Sequence, residues 1–299
     1  MKTVVVTGAT SGIGFAVCRA MLEAGFRVIG VGRCAEHCAS ALQELKPEKM
    51  NAGYENNHEN SHEEPRITFL HGDLMQQAEV RRIAAEIREL LGETGGLHAL
   101  VNNAGCVRSW YMTTDEGYEQ QFALNHLATF LLTHELLPNL LKSRGSILIT
   151  SSGSHRWMKI RWNDIMFQKH YSPLFAYKQS KLCNLLFAFG LNKRFEDLGI
   201  RAYGIDPGLV RTDIGNKNTG RIVDLFWRVR RNGGVAPDVP ARIYVELCTS
   251  REPKTGLYQS IAGEKRYSRE VTEENADRLF ELSEKLCNIR FGGKKQCSS

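Results

Sequence analysis

The 299-residue chain has no apolar run of about 18 residues or more, and it does not open on a basic segment followed by an apolar one. These two absences exclude a membrane-spanning helix and a secretory leader as readings of the sequence, and a cytoplasmic protein without a transmembrane anchor is expected. Cysteine is present but unpatterned. Positions 18, 34, 38, 106, 183, 248, 287 and 297 are scattered through predicted strands and helices, so reduced thiols are expected and no structural disulfide. The formal charge of +6 lacks a concentrated patch, with local clusters only at RVRR (228–231) and in the C-terminal GGKK. That dispersal argues against a nucleic-acid partner, and a site for a phosphate-rich ligand accounts for the surplus more simply. Internal repeats and an interdomain linker are missing too. What the chain does have is 42% hydrophobic residues, enough for a substantial core.

After Met1 it runs KTVVV, TGATSGIG, FAVCRAMLEAG. The β-branched run reads as a buried strand, and the apolar residues at helical spacing up to Gly25 read as a helix. Strand, glycine turn and helix in that order suit an anion, because a helix N-terminus offers unpaired N–H groups and a partial positive charge to a phosphate. Gly8 permits the tight turn, Gly12 lets a pyrophosphate approach the backbone, and Gly14 lets the helix pack closely on the strand. The spacing is G-x-x-x-G-x-G rather than G-x-G-x-x-G. An ordinary turn is therefore the competing reading, and the flanking strand and helix favour a dinucleotide.

Strand-like runs recur at 3–7, 27–32, 67–72, 97–103, 145–151, 200–206 and 256–262, with helical patterns between most of them. Such alternation implies right-handed βαβ units. The expected fold is α/β, a single Rossmann-type doubly wound domain over 1–299 with a seven-stranded parallel sheet and helices on both faces. The polar segment 47–66 breaks the rhythm and reads as a long surface loop. Within it, HENSH (58–62) matches H-E-x-x-H, but Asn and Gly flank it, no apolar helical face runs through it and no third ligand is evident, so no zinc site is expected. Cys34, His37 and Cys38 are explained by one turn of an amphipathic helix, and no metal is expected there either.

Strand ends face the ligand crevice in this kind of sheet. After the second strand comes Arg33, where a carboxylate would bind a ribose diol and a guanidinium would pair with a 2′-phosphate, so NADP(H) is expected rather than NAD. Thr10 or Ser11 could add a hydroxyl to the same phosphate. Asp73 follows the third strand and suits the adenine amino group. NNAG (102–105) follows the fourth and lets a flat cofactor lie against backbone. Farther on, AYKQSK places Tyr177 and Lys181 four apart, on one face of a helix, where an ammonium lowers a phenol's pKa toward a useful value. Such a phenol can give a proton to a developing alkoxide while a serine hydroxyl orients the carbonyl.

TGATSGIG, NNAG, FALNHLATF, ITSSGSH, YKQSK and DPGLVRT stand in the order and approximate spacing of the short-chain dehydrogenases/reductases, and the chain resembles that family over nearly its whole length. SHR, AYKQSKLCNLLF and the tail YSREVTEENADRLFELSEKL make it similar to the retinol-dehydrogenase-like and WW-domain oxidoreductase-like branch. The resemblance implies roles for individual residues. Tyr177 matches the catalytic acid/base, and Lys181 the residue that holds the nicotinamide ribose and depresses the tyrosine pKa. Asn125 matches the support of a water-linked proton relay, and Ser152 the serine that polarises the carbonyl, with Ser151 the competing choice. The implied cofactor set is Gly8, Thr10, Ser11, Gly12, Ile13, Gly14, Arg33, Asp73, Leu74, Asn103, Ala104, Gly105, Tyr177 and Lys181, with Pro207, Gly208, Val210 and Thr212 at the nicotinamide carboxamide.

Ser152 and Tyr177 stand 25 apart where about a dozen residues is usual, so 153–175 is an insertion, expected to roof the substrate site. A mobile substrate lid is expected at 214–231. Trp157, Trp162, Phe167, Tyr171 and Phe175 either line a pocket for a bulky apolar alcohol or ketone or simply pack the insertion onto the sheet. Substrates implied are a sterol, a retinoid, a lipid aldehyde or a ketone. Helices at roughly 115–143 and 174–198 carry LATFLLTHELL and LCNLLFAFGL, more apolar than one sheet face needs, so a homodimer or homotetramer is expected. The alternative to an enzyme is an NADP-binding sensor or docking module without turnover.

Overall fold

The computed structural model describes residues 1–46, 66–211, 234–250 and 254–292. The segment holding HENSH, the expected lid at 214–231 and Thr212 lie outside the described residues.

Eight strands form one sheet: β1 (Thr3–Thr7), β2 (Arg27–Gly32), β3 (Ile67–His71), β4 (Ala99–Asn102), β5 (Ser146–Thr150), β6 (Arg201–Asp206), β7 (Tyr258–Ser260) and β8 (Gly263–Glu264). Their order is β3-β2-β1-β4-β5-β6-β7-β8. All pairings are parallel except β7 with β8, so the expected seven-stranded parallel sheet gains a short antiparallel edge. The apolar run 256–262 hides this hairpin, because Gly263 (φ 99°) turns the chain back immediately after it.

The helices are α1 (Gly12–Glu23), α2 (Ala35–Glu44), α3 (Gln77–Leu91), α4 (Ala128–Ser143), α5 (Pro173–Phe195), α6 (Asp238–Thr249) and α7 (Glu273–Cys287). Period-two alternation divides β1 between two cores. Val5 faces Ile83, Ile87, Phe130 and Leu186 from α3, α4 and α5, whereas Val4 and Val6 face Val17, Met21, Ile243 and Tyr244 from α1 and α6. Helices on both faces of a parallel sheet, with the strand order reversing between β1 and β4, leave a crevice at the strands' C-terminal ends.

Two elements depart from the expected regular helices. Residues 115–119 are not helical; Glu119 caps a short turn, Gln120–Phe122, by accepting from the Gln121 and Phe122 N–H groups at 3.0 and 2.7 Å. A π turn, Ala123–Leu127, then leads into α4.

Candidate active site

The glycine turn sits where β1 hands over to α1. Gly8 (φ 66°) and Gly12 (φ 56°) hold left-handed conformations, and a Cβ on Gly14 would stand 2.2 Å from the Gly8 carbonyl oxygen, so Gly14 is required by the close approach of helix and turn. Ser11 makes no side-chain cap to α1, and no acidic side chain occupies the first turn. Its leading N–H groups are left for an anion. The NNAG loop is fastened to this turn by Thr7: its hydroxyl accepts from the N–H groups of Asn103 and Ala104 at 3.0 Å each, and the Asn103 Nδ2 donates to the Thr7 carbonyl at 3.1 Å.

A cleft of about 350 Å³ opens above these loops. Of the residues expected at a cofactor, Gly8, Thr10, Ser11, Gly12, Ile13, Arg33, Asp73, Leu74, Asn103, Ala104 and Gly105 line it. Gly14 packs beneath the turn instead. Arg33 is exposed at the rim, and Thr10 lies against Gly32, where a Cβ would come within 2.4 Å of its methyl. Asp73 shapes the turn after β3 by accepting from the Met75 N–H at 3.0 Å. Cys34 donates to Glu36 at the start of α2, and the buried Cys38 donates to the Leu70 carbonyl and ties α2 to β3. Glycines that cannot accept a Cβ, unspent helix N–H groups and a rim guanidinium together fit a nicotinamide dinucleotide.

At the inner end of the cleft lies the second group of residues. A Cβ on Gly105 would come 3.1 Å from Asn125 Oδ1 and 3.5 Å from Lys181 Nζ, so cleft and catalytic candidates share a wall. Lys181 is buried on α5, its Nζ donating to the Thr150 carbonyl at 3.0 Å and lying 5.6 Å from the Tyr177 ring centroid. Burial pulls its pKa down to about 8. Asn125 stands inside the π turn with its side chain fully engaged: Oδ1 accepts from the Cys106 N–H at 2.8 Å, and Nδ2 donates to the Cys106 carbonyl and to Ser180 Oγ, each at 3.0 Å. It clamps the loop after NNAG to α5.

The paired serines behave differently. Ser151 is buried and its hydroxyl donates to the Lys181 carbonyl at 2.9 Å; Ser152, half-buried, caps the 3₁₀ turn Gly153–Trp157 by accepting from Ser154 N–H at 3.3 Å. His155 pins that turn from below. Its Nδ1 lies 2.5 Å from the Ser152 carbonyl oxygen and its Nε2 accepts from the Ser268 N–H at 3.3 Å, while burial lowers its pKa and keeps the ring neutral. Beyond β6, Gly208 (φ 73°) donates its N–H to Asp206 Oδ1 at 3.0 Å. Burial opposes ionisation of Asp206, but Lys265 at 2.6 Å and the Gly208 N–H outweigh it and hold the carboxyl below its usual range. Pro207, Gly208 and Val210 stand on this loop, outside the cleft wall, which the neighbouring Arg211 does reach.

The insertion 153–175 is mostly packing. Phe167 is buried in the core, Trp162 lies under the Arg278 guanidinium at 4.5 Å, and the Tyr171 hydroxyl donates to Glu119 at 3.1 Å and accepts from Gln121 at 2.7 Å. Trp157 (96% exposed) and Phe175 (51%) are the two aromatics left to face outward. Thr7, Thr150 and His155 were not evident from the sequence. Each acts through a partner far along the chain, Thr7 and His155 through distant backbone N–H groups and Thr150 through its carbonyl, which accepts from Lys181 Nζ, although the first two close strand runs and His155 lies within the quoted SHR.

A doubly wound parallel sheet with a glycine turn, a cleft at the strand ends and a lysine–tyrosine pair beside it defines a nicotinamide-dinucleotide oxidoreductase fold. The short chain dehydrogenase model matches residues 2–221, and the chain belongs to that family. It is similar to retinol dehydrogenase 12 of Mus musculus, 32% identical over 296 residues that cover 97% of this chain and 87% of that one. It is also similar to retinol dehydrogenase 14 of Homo sapiens, 36% identical over 219 residues, 72% of this chain and 63% of that one. Among solved structures, a protein from Mycobacterium paratuberculosis is 27% identical with a TM-score of 0.71, covering 98% of this chain and 95% of that one. A short-chain dehydrogenase from Sphingobium yanoikuyae, solved with NADPH, shares the fold at 24% identity and a TM-score of 0.55, over 72% of this chain and 74% of that one. Among the described residues no helix is long and apolar enough to cross a membrane.

Proposed function

We propose that the protein is an NADP(H)-dependent oxidoreductase that interconverts the alcohol and carbonyl forms of a bulky apolar substrate, with Tyr177 as acid/base. The observation that carries this reading is the buried Lys181 ammonium, fixed by the Thr150 carbonyl and set 5.6 Å from the Tyr177 ring. A buried cation stabilises phenolate and so eases proton transfer through the phenol. When bound, the reduced nicotinamide supplies a hydride. The chain's own side chains do the rest. Tyr177 gives its proton to the oxygen of the forming alcohol, Lys181 holds the charge, and Ser152 donates a hydrogen bond to the substrate carbonyl, since Ser151 is committed to the Lys181 carbonyl. The Asn125 side chain is spent on Cys106 and Ser180 and its main-chain carbonyl accepts from Thr129 Oγ1 at 3.4 Å, so Asn125 supports a water-linked proton relay by holding the loop after NNAG against α5.

Arg33, at the rim beside Thr10 and Ser11, supports NADP(H) over NAD(H). We assign Pro207, Gly208 and Val210, with Thr212 from the adjoining sequence, to the carboxamide. Trp157 and Phe175, with the exposed Trp110 and Met112, favour an apolar substrate, and the retinol dehydrogenases among the relatives make a retinoid the first to try. Free cysteines at seven described positions accord with a cytoplasmic compartment. The test is an assay of apolar aldehydes, ketones and alcohols, retinal and retinol included, with each of the four nicotinamide dinucleotides. NADPH-dependent reduction of at least one apolar carbonyl is expected; binding of NADPH without turnover on any member would favour a sensor or docking module instead.

A further inference from the structure

We infer that Arg211 is a second guanidinium for the dinucleotide and grips its pyrophosphate from the side of the cleft opposite Arg33. The assignment rests on the dinucleotide reading above. Arg211 follows the β6 loop and is held in three ways. Its N–H donates to the Val235 carbonyl at 3.0 Å, the neighbouring Val210 forms a parallel bridge with Val235, and its Nε donates to the Gly234 carbonyl at 2.8 Å. Gly234 makes this contact possible, because a Cβ there would lie 2.9 Å from both the Arg211 nitrogen and the Val210 carbonyl carbon. With Nε anchored, the plane of the guanidinium is set in advance and little side-chain entropy remains to be lost on binding.

The position of this side chain selects its ligand group. Arg211 lines the same cleft as Gly12 and Ile13, together with Pro237, which precedes α6. An ion pair between Arg19 of α1 and Asp238 of α6 fixes that edge against the helix whose N-terminus meets the pyrophosphate. Arg33 follows β2, on one side of β1, whereas Arg211 follows β6, three strands away on the other. The two guanidiniums therefore flank the glycine turn, Arg33 toward the adenine ribose and Arg211 toward the nicotinamide half. Among the described residues of the wall Arg108 is the third arginine, its Nε donating to Gln120 at 2.7 Å, and Asp73 is the one carboxylate. The 2′-phosphate then meets Arg33 and the diphosphate meets Arg211, each from its own side of the cleft.

Calorimetric titration of the full chain with NADPH, NADH and 2′-AMP separates the two arginines, because 2′-AMP carries the distinguishing phosphate but no pyrophosphate. Arg211→Gln should weaken NADPH and NADH by the same factor, about ten- to hundredfold for a charge-assisted contact, and leave 2′-AMP unchanged. Arg33→Gln should weaken NADPH and 2′-AMP and spare NADH. Unaltered 2′-AMP binding also certifies that the Arg211 variant is folded. The assignment is overturned if Arg211→Gln leaves both dinucleotides unaffected, if its loss is confined to NADPH, or if it extends to 2′-AMP. If the unmutated protein binds neither dinucleotide, the functional reading itself fails, a result distinct from each of these.

Discussion

Tyr177 and Lys181 carry the chemistry of the proposal, and each yields a prediction of its own. Tyr177→Phe keeps the ring and removes the transferable proton, so turnover should fall on the order of a hundredfold or more while cofactor affinity stays within about twofold. The pair of measurements is steady-state kinetics beside calorimetric binding. Lys181 has a folded pKa of about 8, and the unfolded value is about 10.4. Between those two values the unfolded chain holds more protons than the folded one, so this group's contribution to stability rises as pH climbs from about 8 to about 10.4. An anionic dinucleotide favours the charged lysine. Binding near pH 8 should take up a fraction of a proton, read from the dependence of the heat of binding on buffer ionisation enthalpy, and Lys181→Met should abolish the uptake. At the rim, Arg33→Asp replaces a cation with an anion and should weaken NADPH far more than NADH; equal kcat/KM for the two cofactors in the unmutated protein would return Arg33 to an ordinary surface arginine.

Elements differ in how far the sequence exposes them. β1, β2 and β6 were legible because a buried parallel strand is a short continuous β-branched or apolar run, and the glycine turn was legible because Gly8 and Gly12 need left-handed backbone that other residues resist. β8 was not, since two residues carry no period. The π turn over Ala123–Leu127 was hidden for another reason: ALNHL fits an α-helical pattern equally well, and the extra residue shows only in the hydrogen bonds. The insertion divided its aromatics in a way that composition could not foresee, because whether Tyr171 packs or lines a pocket is decided by Glu119 and Gln121, far away in sequence. At this scale Gly14→Ala is the sharpest perturbation. Its Cβ would meet the Gly8 carbonyl at 2.2 Å and Asn103 Nδ2 at 2.7 Å, so helix and turn must part. A loss of about 1–3 kcal/mol in urea denaturation is expected, with weakened dinucleotide binding; unchanged stability and binding would contradict the close approach.

For the whole molecule, α7 changes what the apolar helices mean. The outer faces of α4 and α5, whose excess apolar residues suggested a partner subunit, are covered within the chain. Phe280 of α7 lies 5.3 Å from Phe130 and 5.4 Å from Phe187, and Phe291 stands 4.9 Å from Phe130. His126, neutral because burial drives its pKa down to about 3, bonds through Nε2 to Ser283 Oγ at 2.9 Å and ties α7 to the π turn. With these faces occupied, the observation behind a homodimer or homotetramer is met by the protein's own C-terminal helix. Sedimentation at micromolar concentration should give a monomer, and Phe280→Glu should lower stability by about 3–5 kcal/mol as it empties the cluster and buries a charge. A stable dimer through α4 and α5 would show that α7 leaves this surface in solution.

Delivery of a proton by Tyr177 to a carbonyl beside a bound NADPH can be read in a single-turnover reduction. Protein saturated with NADPH is mixed with retinal, or with whichever apolar carbonyl the substrate survey shows to be reduced fastest, and loss of the reduced nicotinamide's absorbance is followed for the unmutated chain and for Tyr177→Phe. The unmutated chain should react at least about a hundredfold faster than the variant, with both proteins equally loaded. Equal rates in the two, or no oxidation of bound NADPH by either, would contradict it.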